Sequence, residues 1–169
     1  MVYLTPSDLG WRPFVKTWLS GLPPVFTDEH RVKIDEFFEK WMDPGLHWLR
    51  KHGSEPVGSH DLQIVTSLCR MFQSVFNDEA KTANGSCARD ADPEANAPPK
   101  LAEMDPKEFE KLLLPVFCFS FCWSVGSTCE MKSGKMFQIW AESQFDSVSM
   151  PRGGSVFDGY IDLRHGPKW

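Results

Sequence analysis

The sequence predicts a mainly α-helical bundle with a short strand at its N-terminus and a β-hairpin at its C-terminus. Three observations carry that prediction. Apolar residues recur at three- and four-residue spacing in several separate stretches, each with a polar opposite face. Gly and Pro clusters fall between those stretches, where helices start and stop. The last stretch, Ser155–Leu163, instead partly alternates, with Val156, Phe157, Tyr160 and Ile161, between the turn signals Pro151-Arg152-Gly153-Gly154 and Arg164–Pro167.

Taken in order, Met1-Val2-Tyr3-Leu4 reads as the end of a strand whose partners lie elsewhere. Thr5-Pro6 opens a helix carrying Trp11, Phe14, Val15, Trp18 and Leu19, with Pro13 distorting its first turns or marking a restart. Gly21-Leu22-Pro23-Pro24 ends it. A second helix begins near Thr27, with Asp28 and Glu29 at its positive end and Ile34, Phe37, Phe38 and Trp41 as its stripe. Asp43-Pro44 is expected to stop it, and a short third helix through Leu46 and Leu49 to run to Gly53. Ser59 or Asp61 should cap a fourth helix bearing Val65, Leu68, Cys69, Phe72, Val75 and Phe76.

Residues 78–104 are poor in large apolar side chains and hold Asn84-Gly85-Ser86, Asp92-Pro93 and Pro98-Pro99, which predicts a flexible insertion. Asp105-Pro106-Lys107-Glu108 reads as a capping box before a long helix from Phe109 through Trp123. That helix is apolar nearly all round, which implies burial on several sides, and Pro115 should kink it. A further amphipathic helix spans about Ser133 to Phe145. The expected organisation is a strand end at 1–4, a helical domain from 5–77 and 105–147, the insertion at 78–104, and a hairpin or linker at 148–169.

Composition narrows the function classes. The net charge of −5 argues against a nucleic-acid-binding surface. No uninterrupted apolar run reaches the roughly 20 residues that span a bilayer, so no membrane partner is expected. Five Cys and no leader-like start read as free thiols of a cytoplasmic chain.

No G-x-x-x-x-G-K-[ST] or G-x-G-x-x-G occurs. Gly153-Gly154 reads as a hairpin entry turn, and ATP hydrolysis by this chain alone is not expected. Cys118 and Cys122 share a helical face, yet a zinc site needs two further ligands, so they read as buried thiols. His30, His47, His52, His60 and His165 are scattered and read as surface or helix-end groups. The carboxylates fall on polar helix faces or at helix starts. No catalytic residue and no metal ligand is assigned. Arg70, beside the stripe of the fourth helix, is the one candidate for a cofactor: a basic side chain there can reach the phosphates of a nucleotide on a neighbouring body. The alternative is an ordinary solvated arginine.

These pieces resemble a known family. Met1-Val2-Tyr3-Leu4-x-Pro6-x-x-Leu9-Gly10-Trp11-x-Pro13 resembles the segment that closes the second AAA+ core of axonemal dynein heavy chains. Trp18-Leu19, Asp43-Pro44, Leu49-Arg50-Lys51 and Val65-x-x-Leu68-x-x-Met71-Phe72 look like elements of the lid that follows. Phe119-x-x-x-Trp123-Ser124-x-Gly126-Ser127 is similar to the dynein F-x-x-x-W-S-x-G-G motif, with Ser127 where a second glycine is common. Lys135-x-Phe137, Gly154-x-Val156-Phe157-Asp158 and Lys168-Trp169 also fit. The resemblance spans nearly the whole chain apart from 78–104.

It implies a fragment of a heavy chain: a helical-bundle AAA+ lid that runs toward the third AAA+ module. It further implies ATP or ADP with Mg in the parent modules, and neighbouring AAA+ core domains as packing partners. Microtubules and dynein intermediate and light chains would be reached through the parent complex, and the location would be the axoneme of cilia and flagella. Two competing readings are a stand-alone helical protein-interaction module and, on scattered Cys and His alone, a metal or thiol enzyme.

Overall fold

Trp11 and the residues after it start the first ordered helix in this computed structural model, which describes residues 9–76, 105–148, 150, 154–162 and 166–168. The expected N-terminal strand at 1–4 and the insertion at 78–104 lie outside the described residues, as do Cys87 and His165. Helix α1, Arg12–Ser20, takes Pro13 into its first turn, where a missing N–H costs nothing. Pro13 thus stands at the start of this helix, the expected opening at Thr5-Pro6 lies outside the described residues, and the helix faces inward with Val15 and Leu19.

Helix α2, Asp28–His52, is one element of 25 residues rather than two. Pro44 lies inside it and corrects the expected break. An internal proline costs about 3 kcal/mol in an isolated helix. Here it sits on the exposed side, where water can serve the carbonyl it leaves unpaired. The buried stripe Ile34, Phe38, Trp41, Met42, Leu46 and Leu49 continues in phase through it. Tertiary burial therefore outweighs the local penalty.

Helix α3, Asp61–Val75, is capped at His60, not at Ser59 or Asp61. The expected caps are engaged elsewhere: Arg50 holds Asp61 Oδ1 at 2.6 Å, and the Ser59 hydroxyl donates to Glu55. The Gln63 side chain accepts the His60 amide instead, at 3.2 Å.

Helix α4, Pro106–Val125, continues through Pro115. Asp105 caps it by accepting the Lys107 amide at 3.1 Å, one residue earlier than a capping box predicts. A 3-10 turn at Gly126–Thr128 leads to helix α5, Met131–Gln144. With that turn, the segment is long and apolar enough to cross a membrane by length and composition, at mean hydropathy 1.3. However, 61% of that apolar window is already buried inside the bundle, as a central core helix is.

The expected hairpin forms, but only Tyr160–Asp162 (β1) and Gly166–Lys168 (β2) pair, antiparallel, with Ile161 opposite Pro167. Residues 155–158 make a turn instead of strand, because the Asp158 amide donates to the Ser155 carbonyl at 3.0 Å.

The core is largely aromatic and has two ends. At one, Trp18, Phe26, Phe38, Phe72, Phe76 and Phe109 join α1, α2, α3 and the start of α4, with Phe26 and Phe109 rings 5.3 Å apart. At the other, Trp41 stacks on Phe145 at 4.7 Å, and Trp48 meets Phe137 at 5.3 Å. Phe117, fully buried, touches Phe38 on one side and Trp41 and Phe121 on the other.

Next to it the Phe121 ring of α4 packs directly on the α2 backbone at Gly45. A Cβ on Gly45 would stand 2.4 Å from Cζ of Phe121. By contrast, a Cβ on Gly134 of α5 would meet nothing within 4 Å. Gly45→Ala is therefore expected to destabilise by about 1–3 kcal/mol through overpacking, even after the gain of about 1 kcal/mol in helix propensity. Gly134→Ala should instead be neutral or stabilising by up to about 1 kcal/mol. Urea midpoints of the two variants at unchanged slope provide the comparison.

Candidate functional site

Helix α3 turns one side away from the core and lines a groove of about 1170 Å³. His60, Gln63, Ser67, Arg70 and Ser74 mark one wall at successive turns, and Gly10, Trp11, Arg50 and Ser59 also line it. This is where the structure places Arg70, the one residue singled out from sequence. Arg70 is exposed, and among the described residues it has no hydrogen bond or ion pair.

The groove's other arginine is committed. Arg50 pairs with Glu55 at 2.5 Å and with Asp61 at 2.6 Å. Partial burial works against its charge, but Asp61 and Glu55 outweigh that and hold it firmly protonated. Arg50 thus ties the end of α2 to the start of α3, and Arg70 is left as the groove's uncommitted cation among the described residues.

A second polar network fixes the entry to the bundle. The Trp11 indole N–H donates to Asp43 Oδ1 at 2.8 Å. Arg12 forks onto Glu39, with Nε to Oε1 at 2.9 Å and Nη2 to Oε2 at 2.8 Å, and also reaches Asp43 Oδ2 at 2.6 Å. Its guanidinium lies over the Trp11 ring, 4.6 Å from the centroid. Desolvation alone would raise the Asp43 carboxyl, but the hydrogen bonds from Arg12 and Trp11 together hold it below the usual carboxylate range. Sequence reading missed this network, since its partners stand 27 to 32 residues apart and no local pattern links them.

The motif residues from the sequence meet at one junction. Trp123 packs edge-on against Phe157, ring centroids 5.5 Å apart. A Cβ on Gly126 would lie 2.5 Å from the Phe137 ring and 2.9 Å from Phe157, so only glycine lets the turn after α4 close over both. Val156 is fully buried beside them. Gln138 pins this segment: its amide N–H donates to the Gly154 carbonyl at 2.9 Å, and its oxygen accepts the Val156 amide at 3.3 Å. Gln138 carries no sequence signal of its own. Only its partners, in Gly154-x-Val156, belong to a motif.

The thiols behave as buried groups. Burial pushes Cys69 up to about 12, and burial with the neighbouring Cys122 drives Cys118 well above the ordinary thiol range. Cys129, half-buried, is also raised, mainly by desolvation. Such thiols stay protonated at neutral pH, the wrong form for a nucleophile or a ligand. Among the described residues no group of three or more His, Cys, Asp or Glu could hold a metal ion. The described histidines stand at the surface or at helix ends: His47 is exposed, His52 and His60 sit at helix ends, and His30 lies in the first turn of α2, where it is also buried.

Gln138→Ala is expected to release the tail without unfolding the bundle. Loss of two hydrogen bonds, at about 0.5–1.5 kcal/mol each, should speed exchange of the Val156 amide about tenfold or more. Amides of α2 and α4 should be unchanged, as hydrogen-exchange spectra can show.

Comparison with known proteins bears on the whole chain. No solved structure matches it significantly. Dynein axonemal heavy chain 6 of Homo sapiens is 26% identical over 96% of this chain, and dynein axonemal heavy chain 1 of Mus musculus 27% identical over 96%. The ciliary dynein beta chain of Heliocidaris crassispina is 24% identical over 96%. The chain spans only 3–4% of the length of these relatives. The profile of the dynein heavy chain AAA lid domain matches residues 34–169, which takes in most of α2 and everything after it, and the chain belongs to that family.

Proposed function

We propose that this chain is the helical lid of an AAA+ module, the second, in an axonemal dynein heavy chain, the ATP-driven microtubule motor of cilia and flagella. Its role is mechanical and regulatory: it packs between core domains of the ring and carries displacement from one to the next, without catalysis of its own. The observation that carries this reading is the single hydrophobic core joining the five described helices, combined with the family to which the chain belongs. A body so packed moves as a unit, because close-packed cores switch between discrete arrangements and do not deform continuously.

Surface features agree. Met131, Met136 and Ile139 of α5 are 83%, 54% and 69% exposed and lie near Lys132 and Lys135 on the same outward side. An apolar face of this kind suits contact with another body of the heavy chain. In this reading the parent modules bind ATP or ADP with Mg, and Arg70 faces nucleotide phosphates across the α3 groove. Microtubules and the intermediate and light chains are partners of the whole complex in the axoneme.

Two measurements test the proposal. The purified chain with Mg and ATP is expected to release no phosphate above the buffer rate; turnover near 1 s⁻¹ or faster, an ordinary enzymatic rate, overturns it. In a heavy chain carrying this lid, Arg70→Ala should weaken nucleotide binding by about tenfold, the worth of one charge-assisted hydrogen bond. Unchanged affinity removes Arg70 from the site.

A further inference from the structure

The first turn of α2 is closed in an unusual way. Thr27 caps the helix, its hydroxyl accepting the His30 amide at 3.4 Å. In return, the Thr27 amide donates to Nδ1 of His30 at 3.3 Å. This is a reciprocal capping box with an imidazole where a Glu or Gln side chain ordinarily stands. The ring is only 8% exposed and lies 5.0 Å from the Phe109 ring of α4, which itself contacts Phe26 and Phe76. One side chain thus holds the start of α2, the loop before it and the start of α4.

We infer that this joint is proton-sensitive: His30 closes the cap only while Nδ1 is an unprotonated acceptor, so acidification frees the Thr27 amide and loosens α2 from α4. A protonated imidazole has two N–H donors and no acceptor. It therefore cannot receive the Thr27 amide, and it places a cation among aromatic rings.

The charged groups around the ring do not rescue it. Desolvation is the largest influence on His30, Lys33 adds to it, and Glu29 and the Val25 backbone oppose them without prevailing, so the imidazole is held below its ordinary value of 6.5. Glu110 of α4 is engaged by Lys33, and Arg31 is turned to Asp28 and the Leu22 carbonyl. Attraction between an imidazolium and the tilted Phe109 ring acts in the other direction, but it does not restore the acceptor that the Thr27 amide needs.

The sign follows from the depressed value. The unfolded chain takes up the proton more readily than the folded one, so the contribution of His30 is complete above pH 6.5 and is lost as pH falls through the folded value.

The test uses the whole chain in solution. The protection factor of the Thr27 amide, corrected for its intrinsic exchange rate, is followed from pH 7.5 to 5, and the ring nitrogens of His30 are titrated by NMR. Protection is expected to be flat above neutral and then to fall about fivefold, the worth of one N-cap hydrogen bond, in step with the ring. His30→Gln supplies the usual capping-box side chain without a titrating group. It should keep the protection seen at pH 7.5 within about threefold and abolish the fall. A His30 ring that titrates above 6.5, a Thr27 amide indifferent to pH, or a fall that persists in His30→Gln each overturns the inference. The ring and amide titrations of the unsubstituted chain decide between these outcomes even where the variant folds poorly.

Discussion

The close passage of α2 over α4 at Gly45 and Phe121 governs the rest of the bundle. Helix α4 is apolar on nearly every side and stays in water only at a cost, so other elements must cover it. At Gly45 the absence of a side chain lets the Phe121 ring approach the α2 backbone directly. A side chain on Gly45 would push the two helices apart or displace the Phe121 ring. The contact at Gly45 places Phe117 where it touches both aromatic clusters, and it leaves Trp41 free to stack on Phe145. A wider separation would open voids along both clusters, and cavities in aromatic cores are costly. The adjacent Pro44 is tolerated for the same reason: once the buried stripe on either side of it is engaged, breaking the helix would expose Met42, Leu46 or Leu49.

The sequence made the burial pattern legible and left the polar wiring hidden. The stripes of α1, α3 and α4 were visible because the 3.6-residue period is local, and the mainly α fold class followed from it, while the C-terminal hairpin followed from partial alternation between two turn signals. The division of α2 at Pro44 was a local rule overridden by tertiary packing. The cap at His60 was obscured because Arg50 of another helix takes Asp61 and Glu55 takes the Ser59 hydroxyl, the two better capping groups around it. The Trp11–Arg12–Glu39–Asp43 network and the Gln138 clamp join distant segments, and polar residues on helix surfaces look alike until their partners are known. His30 read as one scattered histidine among five, since a capping role for imidazole has no established sequence signature.

The candidate site divides the same way. Arg70 was legible as a basic residue flanking an apolar stripe, and the structure gives it a groove. What the sequence could not supply is the contrast with Arg50. Both line the groove, but two carboxylates neutralise one of them, and that difference decides which can meet an anion. The motif Phe119-x-x-x-Trp123-Ser124-x-Gly126 likewise acquires a physical meaning only in three dimensions. Its tryptophan and glycine form the floor against which Phe157 and Phe137 close, so a pattern written on α4 serves to seat a segment 30 residues later.

Continuity of α2 bears most directly on the proposed mechanical role. At 1.5 Å per residue its 25 residues run about 37 Å, roughly the breadth of a small domain. It contributes Phe38 to one aromatic cluster and Trp41 and Trp48 to the other. Had the helix ended at Pro44, the segment bearing Trp48 would no longer be continuous with the one bearing Phe38 and Trp41, and could shift against it. As one rod clamped at its middle by Arg12 and at its C-terminal end by Arg50, α2 obliges both clusters to move together. The start of α2 differs, since its hold on α4 passes through a cap whose acceptor can be protonated. In the proposed mechanical role displacement would run along this rod, and the joint inferred at its N-terminal end would be the place where solution conditions alter how firmly the first turn is held.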